Sequence, residues 1–249
     1  MYSVWPSAAT RNTPGQTSVV EQPTVGAIVL AGQVPTVAVS GSFTDTFPST
    51  LTPLASPYTV GSQQSGATGS GVNTTGGSPG IAFGSVADRT DWVACLPGVV
   101  STTKHYSEVT IRRVGGYSPP GSHEIEIHVG MTFNGSHALS YEFDIWFGGS
   151  TIQAIRWEDP PGAYNTSAVT TLSSSWPGTL ADGDVVRVEF DSTSGSPVFT
   201  VKVNGSTVGT YTDTSSGKYT SGSPGFAFFA DSGATMSSWC IKGYAAGSL

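Results

Sequence analysis

Between Gly183 and Phe229 the chain reads GDVVRVEFDSTSGSPVFTVKVNGSTVGTYTDTSSGKYTSGSPGFAFF, and this stretch leaves little choice of architecture. Val186, Val188 and Phe190 alternate with Arg187, Glu189 and Asp191, the period of two expected of a half-buried strand. Phe199, Val201 and Val203 then alternate with Thr200, Lys202 and Asn204. Asn204-Gly205 follows, the dipeptide that best tolerates positive φ at both centres of a tight hairpin turn. Ser206 to Thr212 returns as the partner strand. After a further Gly/Ser/Pro loop, Gly225 to Ala230 is apolar on both faces, which places it at the centre of a sheet. The stretch is a β-meander.

The same punctuation runs through most of the 249 residues, which include 32 Gly and 16 Pro. Frequent turns between short apolar runs favour a sandwich or barrel, and no window of about 12 residues carries a helical period. An apolar content of 37%, with 10% aromatic, suffices for a sizeable core. Phe43, Phe47 and Leu51 open one continuous all-β domain over residues 43–249. Strands are expected at Ile81–Val86, Trp92–Leu96, Tyr106–Val114, His123–Thr132, Leu139–Phe147, Thr151–Trp157, Val169–Leu172 and Met236–Tyr244. The pair around residues 123–147 is joined through Asn134-Gly135. Gly61 to Gly80 reads as a low-complexity surface loop.

Residues 1–42 differ. Pro6, Pro14, Pro23 and Pro35 prevent a long regular element. Two short apolar runs carry Val25, Ile28, Val29 and Leu30, then Val34, Val37 and Val39. Left exposed, such runs invite strand pairing. The segment is therefore read as an extended docking arm that becomes ordered against a neighbour.

Formal net charge is −7, with only 10 Lys plus Arg. No basic stripe exists to neutralise phosphates, so neither nucleic acid nor an anionic membrane surface is an expected partner. The longest apolar stretch, Val25 to Ala31, is far too short to span a bilayer. MYSVWPSAATRNTPGQ lacks the basic start and apolar core of a secretory signal, so synthesis in a cytoplasm is expected. Two readings of Cys95 and Cys240 stand: a disulfide between first and last strands, or two buried thiols acting as small hydrophobes.

FTDTF (43–47), YSEVTIRR (106–113), YEFDIWFGG (141–149), the meander and the closing strand before Tyr244 together resemble the concanavalin A-like lectin/glucanase (laminin-G-like) jelly roll. The resemblance covers about four-fifths of the chain, residues 43–249, and implies a two-sheet antiparallel jelly-roll sandwich. VGAIVLAGQVPTV (25–37) resembles short segments of structural proteins from tailed bacteriophages. Together these imply a non-enzymatic virion protein, a capsid decoration or fibre protein at the particle surface. Its arm would dock on other virion proteins, in a homo-oligomer or multi-copy assembly. The alternative is a carbohydrate-binding module or a weak glycoside hydrolase.

HEIEIHVG (123–130) puts Glu124, Glu126 and His128 on one strand face and Ile125, Ile127 and Val129 on the other. Jelly-roll glucanases carry three acids at this spacing, the outer two serving as nucleophile and acid/base. Here the third position is His128, which removes the expected proton donor, so hydrolysis is not expected. The triplet, with His105 or His123 added, also has the residue types of a metal site, though nothing fixes a second shell. No metal or cofactor is assigned, while the lectin resemblance admits a calcium ion among the loop residues Asp45, Asp88, Asp91, Asp182 and Asp184. YEFDIWF supplies a second polar face, Glu142, Asp144 and Trp146, on the same side of the sheet if the two strands pair. Acids beside a tryptophan suit a host-surface glycan, because rings stack on pyranose faces and carboxylates accept from hydroxyls. Trp157, Arg156 and Tyr164 would rim such a site. An equal alternative buries Trp146 under a loop or at an interface.

Overall fold

The computed structural model describes residues 41–63, 71–134, 137–158 and 169–249. The arm positions Val25 to Val39, and Tyr164, lie outside the described residues. In chain order the strands begin with β1 Ser42–Asp45, β2 Thr59–Ser62, β3 Val72–Thr75, β4 Ile81–Gly84, β5 Trp92–Cys95, β6 Lys104–Arg113 and β7 His123–Asn134. They continue with β8 His137–Trp146, β9 Thr151–Trp157, β10 Val169–Pro177, β11 Val185–Asp191, β12 Val198–Val203, β13 Ser206–Thr212, β14 Ser223–Ala230 and β15 Trp239–Ser248. Among the described residues there is no α-helix.

The strands form two sheets. One runs β13-β12-β11-β6-β15-β4-β3, with β1 also paired to β15. The other runs β10-β9-β8-β7-β14-β5-β2 through antiparallel neighbours. A single parallel bridge, Ser62 to His137, ties β2 back to β8, so this second sheet curls toward closure at one end.

Alternation fills the space between the sheets. Val109, Ile111, Val186, Val188, Phe190, Phe199 and Val201 from the first sheet meet Ile125, Ile127, Val129, Tyr141, Phe143 and Ile145 from the second. Each such side chain contributes about 1.5–3 kcal/mol on burial. Rings interlock across the gap, with Tyr141 and Phe199 centroids 4.6 Å apart and Phe143 and Phe199 5.5 Å apart. On its other face the curled sheet wraps a second small core of Val93, Cys95, Met131, Ala138 and Ala227. This second core explains why β14 is apolar on both sides.

The meander forms as its sequence dictates. Asn204 and Gly205 have φ of 50° and 80°, the left-handed pair that a primed turn requires. Elsewhere the local signals fall short. The supposed loop at 61–80 contains β3, where Val72 and Thr74 are buried, because the segment pairs along its length with β4 despite the surrounding glycines. Strand β10 continues to Pro177 and β15 to Ser248, and residues 236–238 form a 3-10 turn instead of strand. Asn134 pairs with His137 where β7 meets β8, and the expected turn at Asn134-Gly135 lies partly outside the described residues. The disulfide alternative is excluded: Cys95 and Cys240 lie in different sheets as free, buried thiols, which burial pushes up to about 12.

Candidate functional site

The polar face of the second sheet is built by β7 and β8. Upstream of residue 130 the β7 alternation sends Glu124, Glu126 and His128 outward from the main core. Gly130 has φ of 61°, and the register with β8 shifts between Val129 and Thr132, so Met131 joins the outer face as an apolar residue. A Cβ at Gly130 would sit 3.3 Å from the Tyr141 ring and 3.4 Å from the Phe190 ring, a tight fit that the rings could accommodate by a small shift, so it is chiefly the left-handed backbone angle that favours glycine. The bulge separates an acidic half of the face from an apolar half.

Pairing then gathers the acids. Glu124 faces Trp146, Glu126 faces Asp144 and His128 faces Glu142 across β7 and β8. Strand β9 puts Gln153 opposite Asp144 and Ile155 opposite Glu142. On the far side of β7, Phe229 of β14 lies opposite Glu124. The face opens as a cleft of about 290 Å³, with Asp91, Glu124, Glu142 and Asp144 as its carboxyls and Trp146, Trp157 and Phe229 as its rings. No lysine or arginine lines it among the described residues.

Beneath the mouth, these groups are sealed from water. Glu126 and His128 are fully buried, and Glu142 and Asp144 nearly so. The Glu142 Oε2 accepts from Trp157 Nε1–H at 2.5 Å and from the Gln63 side-chain amide at 2.8 Å. His128 places Nδ1 2.8 Å from Ser140 Oγ, and Nε2 3.1 Å from Glu126 Oε2. Glu126 Oε1, Asp144 Oδ1 and Gln63 Oε1 have no hydrogen-bond partner among the described residues. Burial, reinforced by the neighbouring acids, holds the Glu124, Glu126 and Asp144 carboxyls well above the usual range. Burial also raises Glu142, against which its donors, Asp144, Trp157 and Gln63 first, stabilise the anion. It lowers His128 to about 3, so the imidazole is neutral.

All seven predicted residues, Glu124, Glu126, His128, Glu142, Asp144, Trp146 and Trp157, share this face. Their accessibility differs from expectation. Glu126 and His128 are floor, not surface. Trp157 is not a rim residue but a buried donor to Glu142. Trp146 remains 49% exposed at the mouth, which removes the reading that buries it within its own domain. Arg156, expected at the rim, pairs with Asp213 at 2.6 Å and Glu158 at 2.7 Å and does not line the cleft. His105 and His123, suggested as extra metal ligands, sit on inner faces by strand parity. His105 stacks on Phe190 with Nδ1 2.8 Å from the Ser101 carbonyl, and His123 bonds Tyr117. The loop aspartates do not converge as a calcium site: Asp45, Asp88 and Asp184 each accept from a nearby backbone amide, and Asp182 from Lys242 and Arg113 N–H. Sequence reasoning missed Gln63, Ser140, Gln153 and Phe229. Only Ser140 and Gln153 carried a signal, as polar residues in phase with Glu142 and with the β9 alternation.

No protein-family model and no curated protein matches the sequence. Among solved structures the chain is similar to a Bacillus subtilis protein of unknown function with a galectin-like fold, at 9% identity and TM-score 0.52, covering 84% of this chain and 96% of that one. It is also similar to an endo-1,3-beta-glucanase from Streptomyces sioyaensis (14% identity, 88% and 100% covered, TM-score 0.48) and to lectin II from Ulex europaeus (9%, 83% and 97%, TM-score 0.47). At these identities the likeness is one of fold, and the galectin-like match carries it. The described body is a concanavalin A-like jelly-roll sandwich.

Proposed function

We propose that the acidic cleft on β7 to β10 binds a saccharide and does not cleave it. The observation that carries this reading is Trp146, a half-exposed ring at the mouth of a cleft whose central acids, Glu142 and Asp144, are buried. A pyranose stacked on Trp146 would direct its hydroxyls to the carboxyls of Glu124, Asp144 and Glu142, of which Glu142, whose anion Trp157 and Gln63 stabilise, is the one suited to a charge-assisted hydrogen bond. At about 290 Å³ the cleft lies at the lower limit of small-ligand sites, room for one or two rings. Absence of turnover is supported by His128, which occupies the third ladder position, is buried and neutral, and does not line the cleft. Glycan-array screening followed by calorimetry tests the proposal. Trp146→Ala should weaken the best glycan about tenfold, an aromatic contact's worth; undiminished affinity in this exposed-site variant refutes it.

One observation favours the hydrolase alternative. Trp157 and Gln63 stabilise the anion of Glu142 while Glu124 and Asp144 favour their protonated forms, a split that acid/base catalysis uses. Reducing-sugar release abolished by Glu142→Gln would establish that reading in place of ours.

The module is further proposed to be carried on a tailed-phage particle and docked through residues 1–42, in many copies that raise weak glycan affinity by avidity. Support comes from the contrast in composition between arm and body and from the phage resemblance of residues 25–37. A chain lacking residues 1–42 should fold yet fail to enter particles.

A further inference from the structure

The floor of the cleft holds a donor set that saccharide binding uses only in part, through Glu142. Glu126, His128 and Glu142 each offer one ligand atom, and all three atoms lie within 4.8 Å of one another. His128 Nε2 is 3.1 Å from Glu126 Oε2 and 3.7 Å from Glu142 Oε2. Zinc–nitrogen and zinc–oxygen bonds of about 2.0–2.2 Å place neighbouring ligands about 3 to 3.5 Å apart, so the cluster closes on an ion with little movement. Two independent observations point the same way. Glu126 Oε1 and Asp144 Oδ1 are buried without a hydrogen-bond partner among the described residues, an arrangement that costs free energy unless something absent from the chain completes it. Among those residues, Glu126 and Glu142 have His128 as their ion-pair partner, and no lysine or arginine lines the cleft above them.

The surrounding contacts match what an outer shell does for a metal. Ser140 Oγ bonds His128 Nδ1 at 2.8 Å and fixes the ring so that Nε2 faces the acids. Trp157 and Gln63 orient the Glu142 carboxylate through its Oε2. Strands β7 and β8 supply all three ligands at paired or adjacent register positions, so the donors are positioned by the sheet itself.

We propose that Glu126, His128 and Glu142 bind a first-row divalent transition cation, with Asp144 beside them as a further oxygen donor. One imidazole with carboxylates suits Zn²⁺ or Mn²⁺, whereas Ca²⁺ prefers oxygen alone. The ion would lie under the cleft, on the outer side of the β7–β8 pair, among the buried acids. The site shares Glu142 and Asp144 with the saccharide reading but requires no saccharide.

The test uses the full chain freed of metal with EDTA, then titrated with Zn²⁺, with Co²⁺ as a spectroscopic probe, and with Ca²⁺. One Zn²⁺ per chain, a Co²⁺ ligand-field spectrum and a raised thermal midpoint are expected. His128→Gln and the near-isosteric Glu126→Gln should abolish all three. Ser140→Ala, which keeps every ligand, should weaken binding about tenfold to a hundredfold. Circular dichroism and the metal-free midpoint of each variant confirm folding, and Ser140→Ala serves if a ligand variant does not fold. No stoichiometric Zn²⁺, affinity unchanged in folded His128→Gln or Ser140→Ala, or Ca²⁺ bound as tightly as Zn²⁺ would each overturn the proposal. Trp146→Ala should leave the metal affinity unchanged, which separates this site from the saccharide reading.

Discussion

The outer faces of the two sheets handle charge in opposite ways. On the first sheet, Arg187 meets Glu108 at 2.6 Å, Lys202 meets Glu189 at 2.5 Å and Lys104 meets Asp191 at 2.8 Å, all partly open to solvent. Every acid there has a cation on a neighbouring strand, and Arg187 also stacks over Tyr106. On the second sheet, Glu126, Glu142 and Asp144 lie under cover, and among the described residues no lysine or arginine lines their cleft. Pairing in water is cheap and contributes little. Burying carboxyls together costs much, and a fold that only needed a sheet would not keep them. The second face is therefore where ligand binding is to be sought, and the first is ordinary surface.

A third region sharpens this contrast, because it shows buried charge handled without a ligand. Arg156 and Asp213 have side chains only 5% and 1% exposed, 2.6 Å apart, and Asp213 also accepts from the Tyr141 hydroxyl at 2.9 Å. Asp213→Ala leaves a buried guanidinium with the Ser215 hydroxyl and, for charge, the partly exposed Glu158, and should cost about 3–5 kcal/mol in urea unfolding. A loss below about 1 kcal/mol would mean that burial does not enforce pairing in this protein. The acids of the cleft would then need no special explanation.

How much of this was legible follows from which interactions are local. The meander was readable because Asn204-Gly205 and the alternation around Val186 to Val203 are decided within a few residues. The polar face of β7 and β8 was readable for the same reason, parity of two apolar-polar ladders. Its burial was not. Gln63 reaches Glu142 across 79 positions of sequence, and no local pattern announces such a contact. Val72 was lost among glycines for a related reason: β3 owes its existence to pairing with β4, not to its own composition. Arg156 shows the limit of adjacency, since it follows the sheet's alternation away from the neighbouring Trp157 and toward Asp213.

On their inner faces, by contrast, the two sheets should respond alike. His105 of β6 and His123 of β7 are both buried, and burial lowers each from 6.5 to about 4. The folded state therefore binds fewer protons than the unfolded chain between those values. Stability contributed by the neutral rings is complete above pH 6.5 and is lost as pH falls toward about 4. The loss attributable to His105 should be about 3 kcal/mol, and His105→Gln should flatten the pH dependence of the urea midpoint by that amount. An unchanged slope would show that His105 is not held neutral, and the likeness of the inner faces would fail.

The smallest effects decide the sign of the opening contrast. Glu126→Gln and Glu189→Gln are the same substitution on the two outer faces. At Glu189 it removes the partner of Lys202, a partly solvated pair, and should lower stability by less than about 1 kcal/mol, diminishing further in high salt. In metal-free protein at neutral pH, Glu126→Gln replaces a carboxyl that burial disfavours as an anion with a neutral amide of similar size. It should raise stability, by about 1–3 kcal/mol. The same variant should lose the stabilisation that Zn²⁺ confers on the native chain, so the order of the two proteins reverses when the ion is added. If Glu126→Gln is destabilising without metal, the acids on the second face are structural, and the two faces differ only in depth.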